Sequence, residues 1–245
     1  MALVRIVAGT AIQKVRQAML MYIVFMLPAM AFVMFAQWKV TSTFKKFSNV
    51  PTNRRMTGAQ VAQEILRSNG IHDVEVERVP GQLSDHYDPR SKKLRLSEPV
   101  YGSTSVAAVG VAAHEVGHAI QHAQGYAPLK LRSTIVPVAN AGNMLGPIMV
   151  IAGVLIGLTG LAWLGVIFFA AGTAFALVTL PVEFNASSRA MTQLTNIGAV
   201  DRTEYDQARK VLNAAALTYI AGFAAAFLNL MYYVMLVTGM GRRSE

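Results

Sequence analysis

Three long stretches without a charged side chain decide what this chain can fold into: residues 18–38, 145–182 and 214–238. About 20 apolar residues cross a bilayer as a helix. In lipid the backbone must satisfy its own polar groups, so such stretches have little choice but to be helical. The middle block is too long for one crossing. Gly157 to Gly165, with Thr159-Gly160 between them, breaks it into two spans, 143–158 and 162–181. The sequence therefore predicts a mainly α membrane protein of about four transmembrane helices. Composition agrees: 53% of residues are hydrophobic and 14% charged, against about a quarter charged in soluble domains. A signal peptide is the rival reading of 18–38. The run is long for one, Gln37-Trp38 is a poor cleavage site, and Trp38-Lys39 ends the run as an interfacial anchor does.

Four spans place residues 39–140 and 183–213 on one side of the membrane and both termini on the other. The first side carries Lys39, Lys45, Lys46, Arg54, Arg55, Lys130, Arg132, Arg189, Arg202, Arg209 and Lys210 near span ends. The second carries Arg5, Lys14, Arg16, Arg242 and Arg243. The positive-inside rule then puts the polar part in the cytoplasm. An amphipathic surface helix over 4–17 is the alternative use of the N-terminal charges. The net charge of +9 is read as topology and contact with the lipid bilayer. No basic patch is interleaved with aromatics, so a nucleic-acid partner is not expected.

Five segments follow: an anchor (1–38), a small α+β domain (39–140), a two-span hairpin (141–182), a polar segment (183–213), and a last span with its tail (214–245). Within 39–140, Lys39 to Arg55 reads as basic and extended. A helix over 57–69 opens on a Thr57-x-x-Gln60 capping box and stops at Asn69-Gly70. Val74 to Val79 alternates like a strand, and 81–97 reads as a hairpin turning at Asp88-Pro89-Arg90-Ser91. A helix then runs from about residue 104 to 123 and stops near Gly125. Asp201-x-x-Glu204 marks another possible helix start.

The 104–123 helix contains His114-Glu115-Val116-Gly117-His118, an H-E-x-x-H pattern. Histidines four apart share a helix face and can place two ring nitrogens on one metal, with the glutamate beside its open position. The flanking residues are small and apolar, and each polar group in such a helix needs a partner when buried. The chain has no cysteine, so a zinc ion must be held by histidine and carboxylate. A catalytic zinc takes three protein ligands and a water. Glu183, at the end of the third span and on the same side, stands out as the third. An interfacial carboxylate paired with Arg189 is its rival reading.

His114-Glu-Val-Gly-His-Ala-Ile-Gln-His122 followed by Glu183-Phe-Asn-Ala-Ser187 resembles the YugP-like neutral zinc metallopeptidases of bacterial membranes. Gly81-Gln-Leu-Ser-Asp-His-Tyr-Asp-Pro-Arg90, Leu94-Arg-Leu-Ser97 and Ala208-Arg-Lys-Val-Leu-Asn-Ala-Ala-Ala-Leu-Thr-Tyr219 extend the resemblance over about residues 38–237. The arrangement is also similar to gluzincins, including HtpX-like membrane proteases. The resemblance implies a zincin-like domain, Zn2+ held by His114, His118 and Glu183, Glu115 as general base, and a peptide or protein substrate. Where HtpX-like proteases carry Ala-Asp, this chain has Ala186-Ser187, so Ser187 takes at most part of that aspartate's supporting role.

Other polar residues have weaker claims. His122 lies about 12 Å from His114 along a straight helix, which suits a supporting or plain helix-end role better than ligation. His86 and Tyr87 are candidate oxyanion donors, or else hairpin surface and strand packing. Arg189 would orient Glu183 or a substrate carboxylate, or form a structural ion pair. The hairpin at 83–97 offers an edge for an extended peptide. Two other functions compete. A site-2-type intramembrane protease needs an aspartate ligand within a span, and none is there. A non-catalytic zinc-binding scaffold or regulator would have no need of Glu115.

Overall fold

The long helices outrun the apolar stretches they contain. A computed structural model describes residues 2–241, with side chains described for Arg16 and for 19–239. Arg242 and Arg243 lie outside the described residues, as do the side chains of Arg5, Lys14 and nearly all of 4–17. The elements are α1 (Ala2–Ser48), α2 (Gly58–Ser68), β1 (Glu75–Val79), β2 (His86–Asp88), β3 (Lys93–Ser97), α3 (Glu98–Tyr101), α4 (Val106–Ala123), α5 (Ala127–Ile156), α6 (Thr159–Asn196) and α7 (Arg202–Gly241). Among the described residues, four helices are long and apolar enough to cross a membrane: Met19–Ser48, Ala127–Ile156, Thr159–Asn196 and Arg202–Gly239. The fold is therefore mainly helical, with four candidate spans and a small sheet.

The expected extended segment from Lys39 is instead helical to Ser48. Adding a residue to an existing helix gains a hydrogen bond without a new nucleation cost. Continuation therefore wins until Pro51, which disfavours helix in Val50 before it. By the same argument α6 runs past the apolar block to Asn196, and Gly198, at φ 61°, marks the stop.

The chain divides into two compact units. One comprises Met1–Phe35, Ile135–Leu177 and Ala221–Glu245. In it α5 and α6 form the expected helical hairpin, turning at Gly157 with φ 73°. Small residues let their backbones approach closely: a Cβ on Gly165 would lie 2.6 Å from the Val150 nitrogen.

The second unit comprises Ala36–Thr134 and Val178–Ile220. Its α2 carries the expected capping box. Gln60 N donates to Thr57 Oγ1 at 3.2 Å, and Thr57 N donates to Gln60 Oε1 at 2.8 Å. Val61, Ala62, Ile65 and Leu66 form its buried face. The sheet has the order β1-β3-β2, with β1 parallel and β2 antiparallel to β3. The β2–β3 turn is held by the Asp88 carboxylate, which accepts from Arg90 N at 3.0 Å and Ser91 Oγ at 2.6 Å. Leu94 and Leu96 point into the core with Val106, Val109, Val116 and Ile120 of α4. Lys93 and Arg95, alternate along β3, instead pair with Glu77. The Asp201–Glu204 pattern is a reciprocal cap on α7, with Glu204 N to Asp201 Oδ1 at 2.8 Å and Asp201 N to Glu204 Oε2 at 2.9 Å. Glu204 also accepts from Asn53 N at 2.7 Å, which ties the start of α7 to the chain after α1.

Candidate metal centre

Helix α4 is set up by its ends. At its start the Ser105 hydroxyl accepts from Ala108 N at 3.2 Å, satisfying one free amide. At its end Gly125 takes φ 66°, and Tyr126 N donates to Gln121 O at 2.9 Å. That is a Schellman stop. Between these ends His114 and His118 share a face, their ring centroids 4.8 Å apart. Gly117, between them, faces α6. A Cβ there would lie 2.5 Å from the Ala186 carbonyl oxygen. The missing side chain lets α6 approach closely enough for Glu183 to reach the histidines.

Glu183 Oε2 lies 3.3 Å from His114 Nε2 and 3.5 Å from His118 Nε2. Ligand atoms of all three residues lie within 4.8 Å of one another. Bonds of about 2.0–2.2 Å in a tetrahedron put ligand atoms roughly 3.3–3.6 Å apart. The spacing and the donor set, two imidazoles and one carboxylate, both fit zinc. Glu183 is 2% exposed and Glu115 8%, so charge in this region is poorly screened by water.

Each histidine is also held from behind. Ser187 Oγ lies 3.1 Å from His114 Nδ1, and Gln121 Oε1 lies 3.0 Å from His118 Nδ1. The Gln121 amide is itself oriented, because its Nε2 donates to the Val182 carbonyl at 2.8 Å and to Asn185 Oδ1 at 2.9 Å. A carbonyl can only accept, so the amide nitrogen must face Val182 and the amide oxygen His118. His118 is thus held to carry a proton on Nδ1, which leaves Nε2, on the Glu183 side, as the atom that could bind a metal. Burial works against the charged form of His118. The hydrogen bond that Glu183 accepts and the nearby Glu115 charge outweigh it, and the His118 pKa lies above the usual histidine value. A zinc ion bound here would compete with a proton for Nε2. Gln121→Leu is expected to weaken zinc binding about 10- to 100-fold. A competition titration against a chromophoric chelator measures this, and unchanged affinity would refute the supporting role.

Arg132 NH1 donates to Glu183 Oε1 at 3.0 Å, and the Tyr219 hydroxyl lies beside the same carboxylate. Arg189 is elsewhere. Its Nε donates to Asn185 Oδ1 at 2.7 Å, its NH1 to Gln124 Oε1 at 2.6 Å, and its guanidinium lies over the Tyr126 ring. It ties the end of α4 to α6, and Arg132 is the arginine that meets Glu183. The Tyr87 hydroxyl pairs with His122 Nδ1 at 2.8 Å, joining β2 to the end of α4. Burial, with Asp73 and Asp88 nearby, pushes the Tyr87 pKa up to about 12, so the phenol stays protonated. His86 lies 2.8 Å from Ser84 O and 3.3 Å from Arg95 NH1. Neither Tyr87, His86 nor His122 joins the group of three.

Gln121, Asn185, Arg132 and Tyr219 escaped the sequence reading. Gln121 had a signal, a polar residue one helical turn after His118 in an apolar helix. Arg132 had none, since it lies 51 residues from Glu183 and only the turn after α4 directs it there.

A family model described as "putative neutral zinc metallopeptidase" matches residues 22–238. The "putative membrane protease YugP" of Bacillus subtilis (strain 168) is 45% identical over 217 residues, covering 89% of this chain and 96% of that protein. No solved structure matches the chain.

Proposed function

The chain belongs to this neutral zinc metallopeptidase family, and from that membership we propose that it is a membrane-anchored, gluzincin-like zinc endopeptidase. The observation that carries the reading is the convergence of His114 Nε2, His118 Nε2 and Glu183 Oε2, with Glu115 on the helix between the histidines. When bound, zinc supplies a Lewis acid for the scissile carbonyl and acidifies a water to a pKa of about 7. His114, His118 and Glu183 hold the ion. Glu115 takes the proton from the attacking water and hands it to the leaving amine. Ser187 and Gln121 hold the imidazole rings at their Nδ1 atoms. Strand β2 lies at an edge of the sheet, where it offers backbone groups to an extended peptide.

In this reading residues 39–140 and 183–213 form a zincin-like catalytic part. Residues 1–38, 141–182 and 214–245 serve as its membrane segments. The excess of basic residues around 39–140 and 183–213 supports a cytoplasmic face, and the likeness to a Bacillus subtilis membrane protein supports a bacterial plasma membrane. The test is purified full chain in detergent. It should contain bound zinc and cleave casein or a peptide library, and a chelator should abolish cleavage. A chain that takes up no zinc, or cleaves equally well with chelator, refutes the proposal. Glu183→Ala is expected to weaken zinc binding by more than the roughly 10- to 100-fold that a lost supporting contact costs. Unchanged affinity in that variant would rule Glu183 out as a ligand.

A further inference from the structure

The two oxygens of Glu183 have different surroundings. Oε2 faces the two histidine Nε2 atoms at 3.3 and 3.5 Å. Oε1 is taken by Arg132 NH1 at 3.0 Å. The Glu183 side chain is 3% exposed and that of Arg132 29%, so their hydrogen bond is charge-assisted and largely shielded from water. We propose that Arg132 is a positioning residue that restrains Glu183 to ligation through one oxygen, which keeps a coordination position free for water. The inference rests on the zinc reading above.

The reason is the number of ligand atoms. Two imidazoles and one carboxylate oxygen fill three positions of a tetrahedral site and leave the fourth open, as a hydrolytic zinc requires. If both carboxylate oxygens turned to the metal, the protein alone would fill the four tetrahedral positions and water could enter only as a fifth ligand. A carboxylate swings between these modes by a small rotation, so something must hold the second oxygen back. Arg132 is placed to do so by the chain reversal after α4. Gly125 and the Tyr126 N to Gln121 O hydrogen bond end that helix. Arg189 lies over the Tyr126 ring, and α5 then begins at Ala127. One turn thus ends the histidine-bearing helix and directs a guanidinium to the outer oxygen of the third ligand. A guanidinium that merely neutralised a buried carboxylate would affect stability and affinity but not the number of ligand atoms, and this separates the two roles.

The test uses the full chain in detergent loaded with cobalt(II), whose visible absorption is several-fold stronger in four-coordinate than in five-coordinate sites. The unaltered chain should give the strong four-coordinate spectrum. Arg132→Leu should give a weaker, higher-coordinate spectrum and bind zinc about 10- to 100-fold less tightly. Arg132→Lys, which can still grip one oxygen, should keep the four-coordinate spectrum. A four-coordinate spectrum in Arg132→Leu overturns the proposal. Should that variant fail to fold, X-ray absorption of the unaltered zinc protein decides: one carboxylate oxygen in the first shell supports the proposal, and two overturn it. An unaltered chain that binds neither metal refutes the zinc reading itself, a result distinct from either outcome for Arg132.

Discussion

Glu115→Gln is expected to bind zinc as tightly as the unaltered chain while hydrolysing peptides about 10²- to 10⁴-fold more slowly. Glutamine matches glutamate in shape, so the packing of a side chain only 8% exposed is kept. Glu115 is not one of the three converging residues that could hold a metal ion, so the proposed site keeps its donors. What is lost is a group that can take a proton from water and pass it to the leaving amine. The expected drop corresponds to about 3–5 kcal/mol of barrier. Zinc content by atomic absorption and kcat on a fluorogenic peptide measure both halves. A variant as active as the unaltered chain would remove Glu115 from the mechanism. Loss of zinc together with activity would show that the residue shapes the site rather than serving as its base.

Gly117→Ala should do comparable damage by a different route. Alanine improves intrinsic helix propensity by about 1 kcal/mol, so a substitution with free space around it would stabilise α4. Here the new methyl group would sit 2.5 Å from the Ala186 carbonyl oxygen, which is α6 backbone and has no rotamer to change. The two helices must separate, at an overpacking cost of about 1–3 kcal/mol. Ala186 lies between Glu183 and Ser187, so the shift moves the proposed third ligand and the hydroxyl behind His114 together. A misplacement of about 1 Å can cost roughly 100-fold in rate. Zinc affinity and kcat should both fall while the helical circular dichroism is retained, and Gly117→Val should be worse than alanine. A Gly117→Ala protein with unchanged affinity and rate would show that the close approach is not needed.

Local patterns proved legible because their causes are local. The capping boxes at Thr57–Gln60 and Asp201–Glu204 need only residues three apart. The Asp88 turn needs its own neighbours, and the helical hairpin follows from the glycine that interrupts an apolar block. Extended structure after Lys39 was the wrong expectation, because charge says where a chain meets water and not where a helix ends. The parallel pairing of β1 with β3 was not read either, since it joins strands across an intervening segment by backbone bonds that carry no side-chain signature.

Taken alone, the sequence determined that the chain has four apolar stretches long enough to span a membrane. It also determined that two histidines share a helix face with a glutamate between them, and that Glu183 follows the third apolar stretch. These depend on composition and on a helical period of 3.6 residues. Only the tertiary structure decided how these side chains are held. It set Ser187 and Gln121 behind the imidazoles, gave Arg132 rather than Arg189 to the Glu183 carboxylate, and made Gly117 the point where α4 and α6 meet. Except for Gln121, three residues after His118, those pairings join residues about 50 to 75 positions apart. They depend on where the chain turns and how closely two backbones pack, which no window along the sequence contains.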